Sequence, residues 1–244
     1  MNDQSADGRE LTSAALAQMI DISAVQAFHG EADIRALAEI ATRHGFIAAH
    51  ALPHFVPLLR SLVPRGGATL VGGPVGFPSG GHTTETKVLE ARRLARDGAE
   101  ELDMVINLGR LKSGDLSYVR EEVVAVVQAV APLPLKLILE ITYLSDDELK
   151  RGCEIAVEAG AAFVKTGTGW TGEPTTVERV RTIAGVVDGA IGIKASGGIR
   201  SLETIAAMVA LGVTRFGVNT RAAVALVAEC AALPGGVLPR AAHR

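Results

Sequence analysis

The sequence predicts an α/β chain of eight strand-then-helix repeats, closed into a single-domain (β/α)8 barrel. Three observations carry this reading. Short apolar runs ending in glycine or a polar residue recur along the 244 residues. Amphipathic helical stretches separate them, repeating every ~23 to 34 residues, and neither a linker nor a shift in composition interrupts the beat. Eight such units in a chain of this length match the TIM (β/α)8 architecture, for which ~250 residues is typical.

Taken in order, the first strand is read at Met19-Ile20-Asp21. The other seven are GFIAAH (45–50), ATLVGGPVGF (68–77), ELDMVIN (101–107), PLKLILE (134–140), AAFVKT (161–166), AIGIKAS (190–196) and TRFGV (214–218). Helices are predicted at 31–44, over TETKVLEARRLARDGA with Val88, Ala91, Leu94 and Ala95 on one face, and at 115–130, 145–159, 174–187 and 201–211. Gly45, Gly98, Gly160 and Gly212 stand where helix C-caps are wanted. A doubly wound open sheet is the competing arrangement, but no GxGxxG follows the first strand and no GxxxxGK[ST] occurs. The barrel is therefore placed at 19–233, after a polar N-terminal arm or helix at 1–18 and before a loose tail at 234–244.

Composition narrows the function classes. The net charge of −3, without long runs of either sign, gives no surface for nucleic acid or acidic membrane. Cys153 and Cys230 fit neither a disulfide framework nor a metal-ligand spacing, so reduced thiols in a cytoplasmic protein are expected. The start, MNDQSADGRELT, is polar and unlike a signal peptide, and no apolar stretch approaches ~20 residues.

Strands of a parallel barrel are covered on both faces and should be almost wholly apolar. Asp103 in ELDMVIN, Lys136 and Glu140 in PLKLILE, Lys165 in AAFVKT and Lys194 in AIGIKAS depart from that rule. Pointed outward, such charges would press on the helix layer and cost several kcal/mol, about what an unpaired buried charge costs after relaxation. Pointed inward, they can neutralise one another, and period-two alternation puts Lys136 with Glu140 and Asp103 with Asn107 on shared faces. A purely structural ion-pair network is the plain alternative, yet a third lysine has no obvious counter-ion, and perturbed groups of this kind mark functional sites. A drier pocket and a neighbouring ammonium both lower a lysine's pKa. The free amine then forms a Schiff base with a carbonyl. The iminium withdraws electrons so that an adjacent carbon becomes an enamine and attacks an aldehyde. That is class I aldolase chemistry, which needs no metal or cofactor.

The seventh strand runs into Ser196-Gly197-Gly198-Ile199-Arg200, and the eighth ends Gly217-Val218-Asn219-Thr220-Arg221. Loops after strands seven and eight, with a helix N-terminus behind them, are where barrels commonly hold phosphate.

The segments VGFPSGGHTTETKVLEA, GAEELDMVIN, LKLILEITYLSDDEL, AGAAFVKTGTGW, IGIKASGGIR and RFGVNT resemble the 2-deoxyribose-5-phosphate aldolase family, in order and spacing, from about Asp21 to Asn219. The resemblance implies a TIM barrel that reversibly joins acetaldehyde to glyceraldehyde 3-phosphate. It implies that Lys165 forms the Schiff base, that Lys194 lowers its pKa, and that Asp103 relays protons with Lys194. Lys136 matches the lysine of the family's LKxIxE motif. Thr168 and Gly169 are expected to keep the loop after Lys165 tight around substrate.

Departures gather at the acceptor end. Asp21-Ile22-Ser23 stands where the family has Asp-His-Thr, and His50 where it commonly has cysteine. Lys165-Thr166-Gly167-Thr168-Gly169 replaces Lys-Thr-Ser-Thr-Gly, and Asn219-Thr220 replaces the serines closing the phosphate site. Supporting or substrate-binding roles are thus expected for Lys136, Asp21, Ser23, His50, Thr168, Gly169, Gly197, Gly198, Asn219 and Thr220. Two other readings stay open: a paralogous Schiff-base aldolase for a different aldehyde or ketone, and a non-catalytic sugar-phosphate binder. The expected partner is a small aldehyde or sugar phosphate, with neither nucleic acid nor membrane, in a homo-oligomer such as a dimer.

Overall fold

The structure, a computed structural model, describes residues 11–239. Residues 1–10 of the predicted polar arm and residues 240–244 of the tail lie outside the described residues.

Eight parallel strands pair in chain order and close on themselves. They are β1 (Ile20–Ala24), β2 (Ala48–Ala51), β3 (Leu70–Val75), β4 (Glu101–Val105), β5 (Leu135–Ile138), β6 (Phe163–Lys165), β7 (Gly192–Ser196) and β8 (Val213–Asn219). Closure is made by β8 on β1, with Asp21 opposite Gly217 and Ser23 opposite Asn219. One main helix follows each strand: α1 (Glu31–His44), α2 (Val56–Leu62), α3 (Thr84–Arg96), α4 (Leu116–Val130), α5 (Asp146–Glu158), α6 (Val177–Val187), α7 (Leu202–Ala210) and α8 (Thr220–Ala232). This is the TIM barrel read from the sequence, in one domain.

Local chemistry sets the helix ends. Ser145 and Glu148 form a reciprocal capping box on α5, satisfying two of its free N–H groups. Side chains of Thr83, Asp115, Thr176, Ser201 and Asn219 cap α3, α4, α6, α7 and α8. Gly45, at φ 65°, ends α1 in the left-handed conformation that lets its N–H bond back to Ala41 and Thr42 carbonyls.

The apolar core is a ring between strands and helices. Outward strand residues such as Ile22, Val71, Leu102, Leu137, Val164 and Phe216 are all fully buried. They meet helix residues such as Ile34, Leu94, Val123 and Ile205, also fully or almost fully buried. One ion pair is sunk in this ring. Lys87 on α3 reaches Glu122 on α4 at 2.7 Å and donates to the Val105 carbonyl at 2.9 Å, with neither side chain exposed. Burial lowers the Lys87 pKa and raises that of Glu122.

Several elements differ from the sequence reading. β1 continues to Ala24, because Ser23 pairs with His50 and Asn219. Helices α2 and α8 and a short helix at Leu108–Lys112 were not expected. α2 is brief and opens on Val-Pro, while α8 is alanine-rich with apolar residues all round. The tail expected to be loose is partly fixed: Val237–Leu238 pairs antiparallel with Leu11–Thr12. Asn107 and Glu140 lie beyond their strands, so neither shares the barrel face with Asp103 or Lys136.

Candidate active site

Alternation along each strand turns one set of residues into the barrel. Here that set pairs long charged side chains with small ones. A Cβ on Gly72 would collide with the His50 ring, one on Gly192 with Phe163, and one on Gly217 would meet Ser196 Cβ at 2.8 Å. Glycine at these three places leaves the room that imidazole, ring and hydroxymethyl occupy. The Phe163 ring underlies two cations, with Lys136 Nζ 6.0 Å and Arg215 Cζ 5.9 Å from its centroid.

Above it lies a continuous ionic network. Asp103 Oδ2 accepts from both Lys165 Nζ and Lys194 Nζ, each at 2.7 Å, so one oxygen joins the two amines. Its other oxygen accepts from Lys136 at 3.2 Å. Lys194 also contacts Asp21 at 2.5 Å, and Lys136 contacts Glu101 at 2.5 Å. Arg215 spans Asp21 and Glu101. His50 Nε2 donates to Glu101 Oε1 at 2.9 Å. The third lysine therefore has counter-ions, in Asp21 and Glu101. Three carboxylates face four cations, so the charges balance when Lys165 is a free amine.

The network splits the two lysines. Burial pushes Lys165 down most, the ammonium groups of Lys194 and Lys136 push the same way, and Asp103 only partly opposes them, leaving it at about 8. Burial also disfavours charge on Lys194, but Asp103, Asp21 and Glu101 together hold it above the ordinary lysine range. Burial would raise Asp103, yet Lys136, Lys165 and Lys194 keep it well below the usual carboxylate range. Glu101, likewise opposed by burial, is drawn down to about 2 chiefly by Lys136. An amine partly uncharged near neutral pH thus sits beside a persistent ammonium, joined to it through one ionised carboxylate.

A cavity of about 320 Å³ opens over this network at the C-terminal ends of the strands. Lys165, Lys194 and Asp103 line it, as do Asp21, Ser23 and His50. So do Thr168 and Gly169 after β6, Gly197 and Gly198 after β7, and Asn219 at the end of β8. Two expected residues do not line it. Lys136 lies wholly buried beneath, and Thr220 is the first residue of α8. Asn219 is partly engaged, its Oδ1 accepting from Ala222 N at 2.9 Å.

Glu140 neither faces Lys136 nor lines the cavity. Held at φ 51°, it accepts from Thr168 N at 3.2 Å and from Thr168 Oγ1, tying down the loop behind Lys165. A Cβ on Gly167 would stand 2.6 Å from Glu140 Oε1. Trp170 is edge-on to Phe77 at 5.6 Å, across the loops after β6 and β3. The sequence reading missed Glu101, Arg215 and His29. Glu101 shares a face with Asp103 two residues on, and Arg215 interrupts an apolar run, so alternation could have found both. His29 is half-buried in the cavity wall.

Asp21, His50 and Asp103 bring donor atoms within 4.8 Å of one another, a spacing that suits a metal ion. The donor set does not. Lys194 and Arg215 grip Asp21, and all three lysines grip Asp103, so a cation would have to displace ammonium groups already paired.

A family model described as DeoC/LacD family aldolase matches residues 14–223. A deoxyribose-phosphate aldolase from Sinorhizobium medicae (strain WSM419) is 68% identical over 223 residues, 91% of this chain and 90% of that one. The deoxyribose-phosphate aldolase of Klebsiella pneumoniae is 51% identical over 220 residues, 89% and 88% of the two chains. Among solved structures, the deoxyribose phosphate aldolase of Aeropyrum pernix, described as tetrameric, superposes with a TM-score of 0.79 at 29% identity, covering 91% of this chain and 94% of that one. The barrel, its buried lysines and these likenesses converge: the chain belongs to the DeoC/LacD family of aldolases.

Proposed function

We propose that this aldolase cleaves and forms 2-deoxy-D-ribose 5-phosphate through a Schiff base on Lys165, with acetaldehyde and D-glyceraldehyde 3-phosphate as the other partners. The observation that carries the reading is Lys165 in the cavity, with its pKa drawn down to about 8, sharing Asp103 Oδ2 with an ammonium that stays charged. In the cleavage direction the Lys165 amine adds to the C1 aldehyde, and loss of water leaves a protonated imine. A base removes the C3 hydroxyl proton, and the oxygen's electrons form the new carbonyl as the C2–C3 bond breaks. The released pair makes the enamine, and the acceptor aldehyde leaves. Protonation at C2 and hydrolysis then return acetaldehyde and free Lys165. Lys194 supplies protons and Asp103 passes them, because one oxygen touches both amines. For the phosphate, Gly197 and Gly198, at φ 101° and 70°, leave the backbone bare ahead of α7.

Borohydride reduction in the presence of acetaldehyde tests this directly. The two-carbon adduct should map to the peptide holding Lys165, and retro-aldol release of acetaldehyde from 2-deoxyribose 5-phosphate should be lost in Lys165→Met. Adducts found only on Lys136 or Lys194 would overturn the assignment.

Self-association as a homodimer is part of the proposal, supported by apolar side chains left exposed at Leu89 and Tyr143, and light scattering of the purified protein reads it. A cytoplasmic site is proposed from the two buried free thiols, Cys153 and Cys230. Among the described residues no helix is long and apolar enough to cross a membrane.

A further inference from the structure

His50 is fixed in a way that decides what its free nitrogen can do. Its Nε2 lies 2.9 Å from Glu101 Oε1 and 3.5 Å from Asp21 Oδ2. Glu101 is gripped by Lys136 and Arg215 as well, so it is an ionised acceptor, and Nε2 must carry the proton in that bond. The ring lies flat on Gly72, where any Cβ would strike it. Both constraints hold the imidazole in one orientation and one tautomer. No group among the described residues takes Nδ1, and His50 is part of the cavity wall. A lone pair is therefore presented to the substrate. A ring nitrogen of His50 also lies within 4.8 Å of an Asp103 carboxylate oxygen, and Asp103 is 2.7 Å from the Lys165 amine. A hydroxyl a few carbons along a chain attached to Lys165 spans such a distance.

We infer that His50 is a specificity-determining residue, whose Nδ1 accepts a hydrogen bond from the hydroxyl next to the acceptor carbonyl, so that the site selects 2-hydroxy aldehydes over their deoxy isosteres. The inference rests on the Schiff-base reading and deepens it, because it concerns which aldehyde the enamine meets. A buried acceptor with no donor opposite it penalises the ligand that lacks the hydroxyl.

The test compares glycolaldehyde with propanal, which exchanges hydroxyl for methyl, as acceptors at fixed acetaldehyde. The readout is the ratio of their kcat/KM values. His50→Leu should lower that ratio about 3- to 10-fold, the worth of one neutral hydrogen bond. His50→Asn, whose Oδ1 stands as many bonds from Cβ as Nδ1 does, should keep the ratio within about twofold of the parent. If His50→Leu does not fold, His50→Ala reads the same ratio. An unchanged ratio without the imidazole overturns the inference, and so does an equal fall in His50→Asn. Borohydride trapping on the parent protein separates the two levels. Absence of a Lys165 adduct overturns the aldolase mechanism itself, whereas an adduct with an unchanged ratio overturns only the role of His50.

Discussion

Replacing Lys194 with methionine removes the ammonium that shares Asp103 with Lys165, the proposed nucleophile. Both amines lie 2.7 Å from the same oxygen, so their nitrogens are at most about 5.4 Å apart. At an effective dielectric of ~20, two unit charges at that distance repel by about 3 kcal/mol, equivalent to roughly two pKa units. The same substitution leaves Asp103 and Asp21 less neutralised, which favours a charged Lys165 further, so both effects raise its pKa. Burial, the larger cause of the depression, remains. The midpoint should therefore move from about 8 toward the ordinary lysine value of 10.5. At pH 7 the free-amine fraction falls from about one in ten to about one in a thousand for a shift of two units. Rates of cyanoborohydride trapping with acetaldehyde, followed by mass from pH 6 to 11, measure this. The variant should trap about 100-fold more slowly than the parent at pH 7 and catch up above pH 10. A variant that still labels Lys165 with its midpoint unmoved would refute the electrostatic argument.

Three further outcomes are expected. A lysine lowered in the fold binds fewer protons than in the unfolded chain between about 8 and 10.5, so stability rises with pH across that window; relative to Lys165→Met, urea midpoints at pH 7.5 and 10.5 should show the parent gaining about 3 kcal/mol. Lys87→Met strands the Glu122 carboxylate in the apolar ring and should cost about 3–5 kcal/mol in urea unfolding, whereas Lys87→Met/Glu122→Leu, which leaves no lone charge, should recover much of that loss. Asn219 Oδ1 is committed to the α8 cap, so the preference for 2-deoxyribose 5-phosphate over deoxyribose, read as kcat/KM, should rise about 10-fold in Asn219→Ser/Thr220→Ser; no gain would show that Asn219 and Thr220 serve phosphate as well as serine does.

The barrel was legible because its strands are short apolar runs between helices that end on glycine, a pattern set by backbone geometry rather than by side-chain contacts. That Lys165, Lys194 and Asp103 meet was legible for the opposite reason: they violate that pattern where a violation is costly. What escaped depends on distance in three dimensions. Nothing local announces that Glu101 and Arg215 meet across the barrel, separated as they are by 114 positions. Glu140 was grouped with Lys136 by alternation, which fails once its backbone turns left-handed and leaves the strand. Lys194 was expected to set the pKa of its neighbour, but the larger effect is burial, which only the closed barrel supplies. α8 hid because alanines all round a helix give no face to detect.

The match between three carboxylates and three permanent cations gives the reaction cycle a direction of least resistance. With the amine free, the floor of the site is electroneutral. In the proposed mechanism, iminium formation installs a positive charge whose neighbouring carboxylate, Asp103, is already shared with Lys136 and Lys194. Breaking the C2–C3 bond sends an electron pair toward that nitrogen, and the enamine restores neutrality among charged side chains that are themselves buried. The protein thus makes the covalent cation a state to be left and the neutral nitrogen a state to be reached, on both sides of the bond-breaking step. Tension of this kind needs no moving part; it is built into how many charged residues the eight strands bring to one point.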